Sequence, residues 1–143
     1  MAGFSVYLDN KLIDHVFKGT TYSSPTKYLA LFTSSTGLDT NSNFVNNELS
    51  SAAGSYSRLS LPNSIWSSAE EGVTKNTSEL AFEIATTLWG EVTHVGIMDS
   101  AEGGNCLAWG ALSNPITGME EGRTIETGDQ LIIRANALTV KLA

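Results

Sequence analysis

The sequence predicts an all-β protein: a single jelly-roll-like β-sandwich domain carrying an amphipathic helix at its N-terminus. Three observations predict it. Short apolar segments, bounded by turn residues, recur through residues 26–143 at a spacing for seven or eight strands. A helical period of apolar residues occupies the start of the chain and gives way to β texture after Pro25. The chain has 143 residues, 41% of them hydrophobic, with no internal repeat and no linker, which is one core's worth of chain. The expected organisation is one domain over 1–143, with the helix in 1–19 and the sandwich in 26–143.

The elements follow in order. Over residues 3–18, Phe4, Leu8, Leu12 and Val16 form one stripe at helical spacing, widened by Val6, Ile13 and Phe17. Asp14 and Lys18 stand as an i,i+4 pair on the polar side, and Gly19 is a natural stop. The apolar arc is broader than a helix on one surface needs. The helix is therefore expected to pack deeply on its own domain, or to be shared with a neighbouring subunit. "KYLALFTS" (27–34) is apolar on both faces, as in a central strand. Residues 35–55 read as a long polar loop, of a length that is functional or ordered by a partner. "YSRLSL" (56–61) alternates until Pro62, and 70–78 is turn material around a possible short strand. "ELAFEI" (79–84) puts Leu80, Phe82 and Ile84 on one face. Residues 91–99 and 105–112 form a hairpin. The end of the chain gives two or three more strands, with bends at Gly128-Asp129 and Ala135-Asn136.

Composition narrows the function. The charged share is 16%, with Ser, Thr and Asn numbering 17, 15 and 10, a surface common on extracellular and virion β proteins. Net charge is −7, Lys and Arg total 8, and no basic cluster offers a phosphate groove, so nucleic acid is not an expected partner. One cysteine excludes an internal disulfide and every multi-cysteine zinc site. No apolar run approaches the roughly 20 residues of a membrane span, and the N-terminus lacks the pattern of a secretory signal. If the protein acts outside a cell, assembly or lysis rather than ordinary secretion is the expected route.

The hairpin holds the tempting chemistry: His94, Asp99, Cys106, Trp89 and Trp109. Strand alternation places Val92, His94, Gly96 and Met98 on one face and Thr93, Val95, Ile97 and Asp99 on the other. In the return strand Cys106, Ala108, Gly110 and Leu112 share a face, opposite Leu107, Trp109 and Ala111. His94 and Asp99 therefore do not pair within the strand. His94 could face Cys106 across the ladder, but nothing supplies an orienting group or an oxyanion hole. Asp99, Gly103 and Gly104 fit a structural turn, the aspartate accepting backbone N–H groups and the glycines supplying positive φ. A calcium loop through Asp99, Glu102 and Asn105 has too few oxygens to specify a site. Glu70-Glu71 and Glu120-Glu121 read as solvated loop charge, and Asn76-Thr77-Ser78 as a sequon of low specificity. The three tryptophans could stack on sugars but fit core packing better. No catalytic, metal or cofactor residues are assigned.

Four stretches in order carry a resemblance: "AGFSVYLDNKLIDHVFKG", "YLALFTS", "GSYSRLSLPNSIWSSAEEGVTKN" and "LWGEVTHVGIMDSAEGGNCLAWGAL", continued by "TGDQLIIRANALTVKLA". Through nearly its whole length the chain resembles small phage and prophage virion proteins commonly labelled phage tail fibre protein. Asn136 stands where that pattern leads one to expect glycine before the last strand. The resemblance implies a non-enzymatic structural component in the virion, either capsid decoration or a tail-associated part, and a homo-oligomer. Its partners would be the major capsid protein or tail proteins. A tail receptor-binding module for host glycans is the alternative. The helix (Phe4, Leu8, Leu12, Val16) and the 35–55 loop (Phe44, Val45) are the candidate contact elements.

Overall fold

The N-terminal segment divides at Ser5. In the computed structural model, which describes residues 2–50 and 53–142, Ala2–Phe4 form a strand (β1) and Val6–Ile13 a helix (α1), continued by a π-helical turn over Asp14–Lys18. Helical periodicity thus holds from residue 6 onward, and Phe4 belongs to the strand. Ser5 makes the change of direction. Its Oγ accepts the Leu8 N–H at 3.3 Å as an N-cap and donates to the Cys106 carbonyl, both bonds formed by a fully buried residue. Gly19 ends the segment at φ 74°. Asp14 and Lys18 are exposed and unbridged; among the described residues the one ion pair is Arg58–Glu48. An exposed pair gains too little in water to hold two long side chains together.

Ten further strands follow: β2 (Tyr28–Phe32), β3 (Leu59–Ser60), β4 (Val73–Lys75), β5 (Leu80–Ala81), β6 (Gly90–Val92), β7 (His94–Met98), β8 (Cys106–Ala111), β9 (Arg123–Ile125), β10 (Ile132–Ile133) and β11 (Thr139–Lys141). Seven make one mixed sheet, in the order β3-β2-β7-β8-β1-β11-β4, curled into a half-barrel. The β1–β11 contact is parallel and the rest are antiparallel. Two-stranded pairs, β5 with β10 and β6 with β9, complete the fold. The protein is all-β with one short helix, as its sequence predicts, but its layers are unequal: one broad sheet and two small pairs.

β2 is buried on both faces because the sheet has two cores. Leu29 and Leu31 enter the larger one with Val95, Ile97, Leu107, Phe82 and Trp89. Ala30 and Phe32 enter the smaller one with Leu38, Phe44, Met98 and Cys106. The 35–49 stretch supplies Leu38 and Phe44, so most of this long loop is ordered as a cover for its own sheet. Phe32 and Phe44 meet edge to face at 6.1 Å. Gly96 makes room for this packing, since a Cβ there would stand 2.9 Å from the Phe32 ring.

Strict alternation fails at one point in the hairpin. Met98 pairs with Cys106 and Ile97 with Ala108, which leaves Leu107 as the extra residue of a bulge. Cys106 consequently shares a core with Met98 on the Trp109 side, while Leu107 and Ala108 both enter the larger core. Ile84 also departs from expectation. β5 ends at Ala81, Ile84 is 55% exposed, and Ala85 and Trp89 fill the buried positions instead. Asn136 adopts φ 67°, the left-handed geometry for which glycine was expected.

Candidate functional site

The β7–β8 turn and the 35–49 loop are joined by a polar network. Asp99 accepts the Asn105 backbone N–H at 2.7 Å on one carboxylate oxygen and the Asn105 side-chain amide at 2.9 Å on the other. Gly103 and Gly104 sit at φ 60° and 72°, and a Cβ on Gly104 would stand 2.5 Å from Asp99 Oδ1. Asn41 reaches across from the loop, donating to Asn105 Oδ1 at 2.9 Å and accepting the Cys106 N–H at 2.7 Å. With both Asp99 oxygens committed to Asn105, and Glu102 exposed, the turn does not gather calcium ligands.

Arg58 is the centre of a second cluster. Its guanidinium binds Glu48 in two-point fashion at 2.7 and 2.8 Å, and donates to the carbonyls of Ser100 and Gly103 at 2.7 and 2.8 Å. Tyr56 donates to Glu48 at 2.7 Å and accepts the Leu31 N–H at 3.1 Å. Burial raises the Tyr56 pKa, so the phenol stays a donor. The Arg58 side chain is only 4% exposed. These groups hold loop, β2 and turn together, and sequence reading missed them. Alternation marks Arg58 as one more polar position, and its partners lie in two separate loops.

His94 and Cys106, which could have faced one another across the ladder, stand apart. His94 pairs with Ala111, whereas Cys106 pairs with Met98, four positions away on β7. At about 3.3 Å per residue, that is roughly 13 Å along the ladder. His94 bonds to its neighbour Thr93 at 2.8 Å and packs against Trp109, and burial lowers its pKa. Cys106 is fully buried, and that burial pushes its thiol up to about 12. Asn76 of the sequon is buried too. Its amide donates to the carbonyls of Ser78 and Arg134, and its Oδ1 accepts the Leu138 N–H, each at 2.9 Å. It is a strut inside the fold, not an open acceptor.

The tryptophans pack, as their spacing around the hairpin led one to expect. Trp89 is buried and donates to the Gly54 carbonyl at 2.8 Å; Trp66 and Trp109 are half-buried against the cores. The contact candidates separate into two groups. Phe44 is 5% exposed inside the smaller core, which corrects its expected place at an interface. The edge-to-face packing on Phe32 accounts for this. Phe4 and Leu8 are half-buried against the larger core, and Leu12 is half-buried. Val16 and Val45 stand in solvent at 68% and 66% exposure, and Phe17, on the same turn as Val16, at 84%.

Fold and network together describe an all-β domain braced by polar struts, its unpartnered apolar side chains outside. The chain belongs to the family described as podophage GP4 fiber I protein gp80, whose model matches residues 3–141. No curated protein matches it. It is a phage fibre structural protein of the virion, where it works among other virion components. No helix among the described residues is long and apolar enough to cross a membrane.

Proposed function

We propose that this chain is a non-enzymatic, tail-associated part of the fibre, joined to a neighbouring virion protein through its N-terminal helix. The observation that carries the reading is the end of that helix. Ile13, Val16 and Phe17 lie three and four residues apart, exposed at 56%, 68% and 84%, on a segment whose other end is locked into the sheet by Ser5. An apolar group held rigidly in water is what a docking contact needs. The family's fibre description favours the tail over capsid decoration. The wide separation of Cys106 from His94 supports a role without turnover at that hairpin. The packed state of the tryptophans weighs against a sugar-stacking platform on them.

The test is a phage carrying Phe17→Asp. Purified particles are expected to lose this protein while the isolated variant keeps the wild-type melting temperature. Normal incorporation of the variant sinks the helix contact. Copy number against the major capsid protein separates the locations: hundreds of copies mean decoration, and a handful mean tail.

A further inference from the structure

The 24–28 segment and the 60–63 stretch enclose a small cavity at the β3 edge of the main sheet. Its volume is about 280 Å³, the small end for a ligand pocket and room for one ring rather than a chain. Backbone pairing fixes its two walls. Tyr28 pairs with Ser60 across β2 and β3, and the Leu61 N–H donates to the Lys27 carbonyl at 2.8 Å. Thr26 Oγ1 donates to the Asp99 carbonyl at 3.2 Å and anchors the outer wall to the β7–β8 turn.

Lys27 spans the cavity. Its ammonium donates to the Pro25 carbonyl at 3.2 Å on one wall and to Asn63 Oδ1 at 2.6 Å on the other. Two of its three N–H groups are thus used and one is left. Both acceptors are neutral, and the one ion pair among the described residues lies elsewhere, at Arg58. Burial lowers the Lys27 pKa, and no carboxylate acts against it. A chain with 15 acidic and 8 basic residues leaves this half-buried cation without a counter-charge. The groups around it are mostly donors. With Oδ1 taken by the lysine, the Asn63 amide N–H groups face no acceptor among the described residues, and the Ser24, Tyr28 and Ser60 hydroxyls are equally free. Pro25 and Pro62 supply apolar surface between them.

We propose that this cavity binds a hydroxyl-bearing carboxylate the size of one sugar ring, a hexuronate being the simplest such acid. Its carboxylate takes the remaining Lys27 N–H and the Asn63 amide, and supplies the missing counter-charge. Its ring hydroxyls meet the hydroxyls of Ser24, Tyr28 and Ser60, and its C–H face lies on the proline surface. One cation serves one negative charge. A phosphate dianion would need a second cation, and no other lines the cavity. The same chemistry is offered by a free sugar acid and by one unit of an acidic polysaccharide. This site is separate from the helix contact proposed above.

Titration of the full chain with sodium galacturonate, followed by protein NMR, tests it. Binding is expected with a Kd of about 1 mM, as befits a small ligand with one charged contact. Galactose, which lacks the carboxylate, and inorganic phosphate should each bind about tenfold more weakly or worse. Asn63→Asp places a carboxylate against Lys27 within the chain. It should abolish galacturonate binding while the melting temperature stays at or above that of the wild type. Lys27→Met keeps the apolar stem and should weaken binding by about tenfold or more. Arg134→Gln, outside the cavity, should leave it unchanged. Trigalacturonate that binds more tightly than the monosaccharide marks a polymer unit as the source, and its exclusion marks a free acid. Absence of galacturonate binding to the wild type overturns the proposal. So does equal binding of galactose or phosphate, or wild-type binding in both Asn63→Asp and Lys27→Met.

Discussion

Asn76 shows how much one side chain can hold. Its amide and carbonyl bridge β4's end to the Arg134 and Leu138 backbone with every bond away from water. Asn76→Asp keeps the shape but turns two donors into acceptors facing two carbonyl oxygens. Chemical denaturation is expected to show a loss of about 3 kcal/mol, since a buried carboxylate oxygen then faces two carbonyl oxygens and only the Leu138 N–H still serves the group. Nothing local in the sequence marks this role, because the Arg134 and Leu138 backbone groups that it ties down lie some sixty residues away. Cys106 gives a second prediction. Its thiol is buried and held protonated by that burial, so it should resist a thiol reagent at pH 8 in the native state. Labelling should rise to completion only across the unfolding transition. Rapid native labelling would contradict its placement in the smaller core.

At the scale of elements, the 35–49 loop behaves as a wall of the sheet. Leu38 and Phe44 anchor it from within, and Glu48 ties it to Arg58. Arg58→Ala should cost about 3–5 kcal/mol by urea unfolding, because the Glu48 carboxylate loses its cation and keeps only the hydroxyl of the half-buried Tyr56. A loss below 1 kcal/mol would mean that the loop is held by its apolar anchors alone. The helix teaches the opposite lesson. Its periodicity was legible, and so was its Gly19 stop, but alternation and helical spacing cannot be separated over three residues. Ala2–Phe4 therefore read as helix when tertiary pairing with β8 and β11 makes them strand. Removing residues 1–18 would consequently break the sheet, and a substitution at Phe17 is the cleaner probe of the helix end.

For the whole molecule, class and helix position were legible because apolar period and turn residues are local signals. The half-barrel was not. Its shape depends on which strands neighbour one another, and its hairpin faces depend on a bulge at Leu107 that no sequence pattern announces. The candidate contacts divided for the same reason: Phe44 and Val45 are adjacent, yet one is core and the other surface. The position of β1 carries a further consequence. It lies between β8 and β11, so β1 leaves the ribosome long before either of its partners does. At typical synthesis rates, β1 waits on the order of ten seconds before the sheet can close around it. During that interval its unpaired backbone is open to other nascent chains, and the sheet becomes continuous only when Thr139–Lys141 arrives.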